Sequence, residues 1–217
     1  MGESVPRPDT SDMAAVHKVF RFAVASAPDL VGSAAGDDAR RALIANYYDN
    51  VVAFLGAHHL GEDELVYPLL IERVPDQRAV LDLGERQHED VLPLKDVVRA
   101  SVESWRVQGD SQAPQVLRSM EALDTLLTPH LDYEEAEVVP LAAEYLTAEE
   151  WGALPGHALG TFDGDKIWLI MGLIRENFTQ DQRDTMLEHL PPPALQMWET
   201  MGETSFDELI GQIRQTT

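Results

Sequence analysis

The chain has no cysteine. That absence excludes disulfides, thiolate metal sites and a cysteine nucleophile. Long hydrophobic runs are missing too: the richest, "IWLIMGLI" at 167–174, is about half what a membrane-spanning helix needs. The opening "MGESVPRPDT" is polar and proline-marked, with no apolar signal region, so a cytoplasmic protein that does not engage membranes is expected. Basic residues are scarce, 16 Lys and Arg against 38 Asp and Glu, for a formal net charge of −22. Such a surface repels a phosphate backbone and argues against a nucleic-acid partner. Convincing alternating strands are absent as well.

What is present is a helical period carried by a chain that is 44% apolar, ordinary for a globular protein. Its 217 residues suffice for one good-sized domain, or a domain plus an extension. A first helix is expected from "TSDM", capped by Ser11 or Asp12, to about Ala25. A long helical segment follows from Asp37 to about Arg73, a third helix from about Leu81 to Arg106, and a fourth from near Gln115 to about Tyr145. Pro75 and "QGDSQAP" at 108–114 separate them. Four long helices with short connections predict an all-α fold, an antiparallel up-down four-helix bundle over 12–146. A tail over 1–11 precedes it. A C-terminal helical extension over 147–217 is expected to hold three or four short helices, with capping boxes at "TAEE", "TQDQ" and "SFDE" and a turn at "LPPPA". Trp151, Trp168, Met171, Met197 and Trp198 would form its packing surface, against the bundle or against a second copy in a homodimer.

One constellation occurs twice. "HHLGEDELVYP" at 58–68 is matched 72 residues later by "HLDYEEAEVVP" at 130–140. Residues four apart share a helix face, so His58 with Glu62, and His130 with Glu134, each present an imidazole and a carboxylate to one point. Asp63 with Glu135, Val66 with Val138 and Pro68 with Pro140 keep the same offset. A lone histidine precedes each pair, His17 by 41 residues and His88 by 42. A single His-x-x-x-Glu is also an ordinary helix pair; two matched copies with matched partner histidines point to a metal site. Imidazole with carboxylate suits iron, manganese or zinc. Six ligands arranged about a pseudo-twofold axis supply three to each of two ions, with both carboxylates able to bridge.

The stretches "MAAVHKVFR", "HHLGEDELVYPLL", "RQHEDVLPL" and "HLDYEEAEVVPL" resemble the hemerythrin-like family, the HHE cation-binding domain, over about 12–146. The resemblance implies a four-helix bundle holding a carboxylate-bridged non-heme diiron centre that meets dioxygen, peroxide or nitric oxide. By position the metal ligands would be His17, His58, Glu62, His88, His130 and Glu134, with the two glutamates bridging. Oxygen-carrying members place a further histidine one turn after the third-helix histidine; here that residue is Leu92. A histidine-poorer site leaves room for water or substrate. His59 is an additional candidate ligand, although it projects about 100° from His58 on an ideal helix. Asp63 is either a support to the ligands or a solvated residue.

Ferritin-like centres use Glu-x-x-His pairs, for which only Glu85 with His88 qualifies, and His157 and His189 show no ligand spacing. Tyr47, three turns before His58, should share its inward face, as a core residue or a phenol near iron. Met13 and Phe20, flanking His17, should wall the pocket. The expectation is therefore a diiron protein that activates dioxygen or peroxide, with turnover as an oxidase, oxygenase, or peroxidase- or catalase-like enzyme. Its task would be peroxide removal or oxidation of a small organic molecule held beneath the extension. The alternatives are an oxygen, nitric oxide or iron sensor or storage module without turnover, and a metal-free helical interaction protein.

Overall fold

The structure, a computed structural model, describes residues 6–215; residues 1–5 of the expected tail, the last two residues and the side chain of His189 lie outside the described residues. All regular structure among the described residues is helical. Helix α1 spans Asp12–Ala25, α2 Ala27–Ser33 and α3 Asp38–Gly61. A π-turn, Glu62–Val66, joins α3 to α4, Tyr67–Arg73. Helix α5 covers Arg78–Gln108 and α6 Ala113–Tyr133, which a second π-turn, Glu134–Val138, joins to α7, Val139–Tyr145.

Core residues recur at spacings of three and four, which keeps one stripe of each helix facing inward. In α1 the buried row includes Met13, His17, Phe20 and Val24; in α5, Leu81, Gly84, His88, Val91, Val98, Val102 and Trp105; in α6, Val116, Met120, Leu123, Leu127 and His130. The candidate ligands thus lie on the same stripes as the apolar core. Helix α1 packs on α3 and α6, and α5 packs on the same two, so these helices share buried faces. Each large apolar side chain buried there contributes about 1.5–3 kcal/mol.

The ends of these helices follow local chemistry. Asp37 caps α3 by accepting from the Arg40 N–H at 2.9 Å, and Gly109 takes the left-handed conformation (φ 83°) that ends α5. Ser11, expected as a cap, makes no side-chain cap bond; its hydroxyl accepts instead from Gln182 in the extension, at 2.9 Å.

Among the described residues, the extension contains six short helices rather than three or four: α8 Ala148–Gly152, α9 Leu154–Thr161, α10 Ile167–Asn177, α11 Gln180–His189, α12 Pro192–Met197 and α13 Glu203–Arg214. The capping boxes at Thr147/Glu150 and Thr179/Gln182 both form. "SFDE" at 205–208 does not cap, because a third π-turn at Trp198–Gly202 carries the chain helically into α13, leaving Ser205 inside it. Trp151, Met171 and Trp198 are buried, Trp168 and Met197 partly so. Their partners lie in the same chain, with α10 against α1 and α3 and α9 against α3. Arg40 donates to the Gln212 and Ile213 carbonyls at 2.9 and 3.0 Å, placing a cation at the C-terminal end of α13 where the helix dipole favours it.

Candidate metal centre

Each motif glutamate opens a π-turn, and the prolines explain why. Pro68 has no N–H to give the carbonyl of Glu64, so the ladder slips and the Tyr67 N–H bonds to the Glu62 carbonyl, five residues back. The Val139 N–H bonds to Glu134 in the same way, ahead of Pro140. The distortion ahead of each proline is thus a π-turn that begins at the glutamate itself.

The structure brings His17, His58, Glu62 and Glu134 together as one group, and His59, His88 and His130 as another; within each group one ligand atom per residue lies within 4.8 Å of the others. All seven residues are buried. The glutamates link the groups. Glu62 Oε2 is 3.5 Å from His58 Nε2 and 3.7 Å from His88 Nε2, while Glu134 stands 3.5 Å from His17, 3.4 Å from His130 and 3.3 Å from His88.

His59 belongs to the cluster because α3 presents two faces to it. His58 turns toward α1, its ring 5.3 Å from His17 and 5.2 Å from Phe20. His59 turns toward α5 and α6, stacked on His88 at 4.2 Å and edge-on to His130 at 5.0 Å. Leu92, by contrast, is 49% exposed, so the position one turn after His88 points away from the site. Glu85 joins neither group. His157 also lies outside it, in α9, bonded through Nε2 to Glu64 at 2.8 Å.

Carboxylates behind the cluster orient it. Asp63 Oδ1 accepts from His88 Nδ1 at 2.6 Å and Glu135 Oε1 from His17 Nδ1 at 2.9 Å. Each thus fixes the lone histidine of the other half and turns its Nε2 inward, the arrangement that sets tautomer and basicity in metal-binding histidines. Arg21 steadies Glu135 at 3.1 Å, and Gln87 Oε1 accepts from His130 Nδ1 at 3.3 Å.

Tyr67 is a member that the helical pattern does not reveal. Its hydroxyl donates to Glu134 Oε1 at 3.1 Å, and burial followed by the charges of Glu134 and Glu62 pushes the phenol far up, keeping it a donor. Gly84, one turn before His88, makes room, since a Cβ there would overlap the phenol. That small residue beside the lone histidine was the available signal. Tyr47 packs on Tyr48 in the core, and the charged groups acting on its phenol are Arg214 and Glu176; the phenol at the cluster is Tyr67.

The chemistry of the donor set fits metal. His17, His58, His59 and His130 Nε2, with Glu62 and Glu134 Oε2, are all buried without a hydrogen-bond partner. Six such atoms at one place would cost several kcal/mol unless an ion satisfied them. Without an ion the charges split unevenly. Burial, then Glu134, drives Glu62 well above the usual carboxylate range. Burial acts on Glu134 in the same direction, but the His88 bond and the His130 imidazole outweigh it and hold Glu134 near 2. His88, despite burial, is raised to about 10 by Asp63 and Glu134. Burial and neighbouring imidazoles hold His58 and His59 well below the ordinary histidine value; His130 falls to about 4, chiefly through burial.

The family profile described as the hemerythrin HHE cation binding domain matches residues 9–142. The chain belongs to that family. No curated protein matches the chain, and no solved structure does. Membership and the His/Glu cluster together indicate metal-ion binding by this hemerythrin domain, and no helix among the described residues is long and apolar enough to cross a membrane.

Proposed function

We propose that residues 12–146 form an antiparallel up-down bundle that holds two iron ions, and that this centre binds and activates dioxygen or peroxide. The observation that carries the reading is the convergence of six buried, unpartnered imidazole and carboxylate atoms. His17 and His58 would serve one ion, His88, His130 and His59 the other, with Glu62 and Glu134 shared; manganese or zinc could occupy the same donors. Ferrous iron held by these residues would supply the electrons that reduce dioxygen or peroxide.

The chain's own residues do the rest. Asp63 and Glu135 hold the His88 and His17 rings with Nε2 toward the ions. Tyr67 keeps a proton at its Oη, 3.1 Å from Glu134. Met13, Val66, Val138, Val139, Ala142 and Trp151 wall the cavity that opens on Glu62 and Glu134, which excludes bulk water from a reactive centre. That cavity is ≈ 10 Å³, about the space of one water. It favours peroxide removal over oxidation of an organic molecule.

A sensor of dioxygen or nitric oxide without turnover is the second reading. Its support is the contact of α8 with the Glu62–Val66 turn, through which a shift at Glu62 would reach the extension. Anaerobic loading with ferrous iron, followed by absorption spectra on adding dioxygen and then peroxide, separates the two. Repeated consumption of peroxide supports the first reading; a stable oxidised spectrum without consumption supports the second; and no spectral change on either addition contradicts both.

A further inference from the structure

The family match ends at residue 142, yet the cavity beside the two glutamates is completed by a residue beyond it. Trp151, in α8, lines that cavity together with Met13, Val66, Tyr67, Val138 and Ala142. It is only 6% exposed. Its indole is held on several sides. The Nε1–H donates to Asp12 Oδ1 at 3.1 Å. The Thr147/Glu150 capping box fixes the turn that carries it. Arg73, at the end of α4, donates to both Glu150 oxygens at 2.8 and 2.6 Å and to the Tyr145 carbonyl at 2.8 Å. These contacts hold the indole in one orientation against the cavity, on a helix tied to both α1 and α4.

Building on the metal reading, we propose that Trp151 is a specificity-determining residue: it sets the size of the molecule that reaches the Glu62/Glu134 side of the centre. The remaining walls are apolar, and the polar groups within are Glu62, Glu134 and the Tyr67 hydroxyl. The ≈ 10 Å³ left with the indole in place is about the space of one water, so ligands of two or three heavy atoms enter with small side-chain shifts and a six-membered ring does not. The class admitted is therefore dioxygen, peroxide, nitric oxide or a triatomic anion, and the C-terminal extension, through Trp151, makes the centre selective.

The test uses azide and phenol, each of which gives its own visible charge-transfer band when it binds ferric iron. Both are titrated into the iron-loaded, oxidised full chain, with iron content and helical circular dichroism measured on every sample. Wild type is expected to show the azide band and no phenol band. Trp151→Ala should gain a phenol band, with phenol binding about 10-fold or more tighter than in wild type, while azide affinity changes less than about threefold. Ala142→Val, which adds bulk to another residue lining the same cavity, should weaken azide about 10-fold with iron content unchanged, and it provides the test should Trp151→Ala not fold. Phenol binding to wild type, or iron-loaded Trp151→Ala that still excludes it, overturns the assignment, as does unchanged azide affinity in Ala142→Val. A wild-type chain that binds no iron overturns the metal reading and this inference with it.

Discussion

The two halves of the centre use the same residue types at a constant offset of 72, and their glutamates nevertheless differ in charge. Glu134 receives bonds from His88 and Tyr67 and sits near 2; Glu62 has no such donors, and burial drives it well above the ordinary range. Two departures from the repeat lie beside the glutamates, and the first supplies one of Glu134's donors. Tyr67 pairs by offset with Val139, and His59 with Leu131. Repetition therefore builds the paired His/Glu groups, and the unequal donors around the two glutamates decide which carboxylate holds the charge when no ion is present.

The largest expected effect comes from exchanging each glutamate for its amide. Either Glu62→Gln or Glu134→Gln should lower metal affinity about 100-fold or more, because a neutral amide bridges poorly. In the metal-free chain the two should separate. Glu134→Gln removes the partner of a buried cationic His88 and should destabilise by about 3 kcal/mol. Glu62→Gln replaces a carboxyl whose burial already favours the neutral form and should cost under about 1 kcal/mol. Urea melts of both variants check this, and equal losses would remove the asymmetry.

A middle-sized effect tests the other departure. His59→Leu makes the halves match at this position, leaving Leu opposite Leu131, and takes one imidazole from the group containing His88 and His130. Affinity for one of two ions should fall about 10-fold while the other is unchanged. Competition with a chelator reads the two constants separately, and two unaltered constants would return His59 to a packing role.

A graded effect is the pH dependence of the metal-free fold. His130 has a folded value of about 4, below its unfolded value of about 6.5, and His58 and His59 shift the same way. As pH falls below 6.5 the unfolded chain takes up protons that these rings refuse. Stability should drop by up to about 1.4 kcal/mol per pH unit for each ring, levelling off for His130 below pH 4. His88, raised to about 10, acts oppositely: its contribution is full below 6.5 and fades as pH rises toward 10. Melts of metal-free wild type and His130→Gln from pH 4 to 8 should show a shallower slope in the variant.

Much of this was legible in the residues, and the parts that were not have physical reasons. Matched spacing located His17, His58, Glu62, His88, His130 and Glu134 because helical period places them on the core stripes of α1, α3, α5 and α6. His59 was left open because a single helix wheel treats the site as lying on one side of α3, whereas the cluster spans its α1 and α5 faces. The π-turns escaped because a proline signals a lost hydrogen bond without saying where the ladder will reset. Tyr67 escaped for the same reason, since the slip of one residue changes where it points. Tyr47 was placed by period alone, and its surroundings belong to the extension. The count of short helices there was too low because α9, α10 and α12 start without a side-chain cap to announce them.

The central claim is that two ions bind one chain between the repeated halves. Titration of the metal-free protein with ferrous iron under anaerobic conditions, read by iron content after gel filtration, tests it directly. The account predicts saturation at two irons per chain, reduced in both Glu62→Gln and Glu134→Gln. Saturation at one iron, or retention of two in both variants, would contradict it.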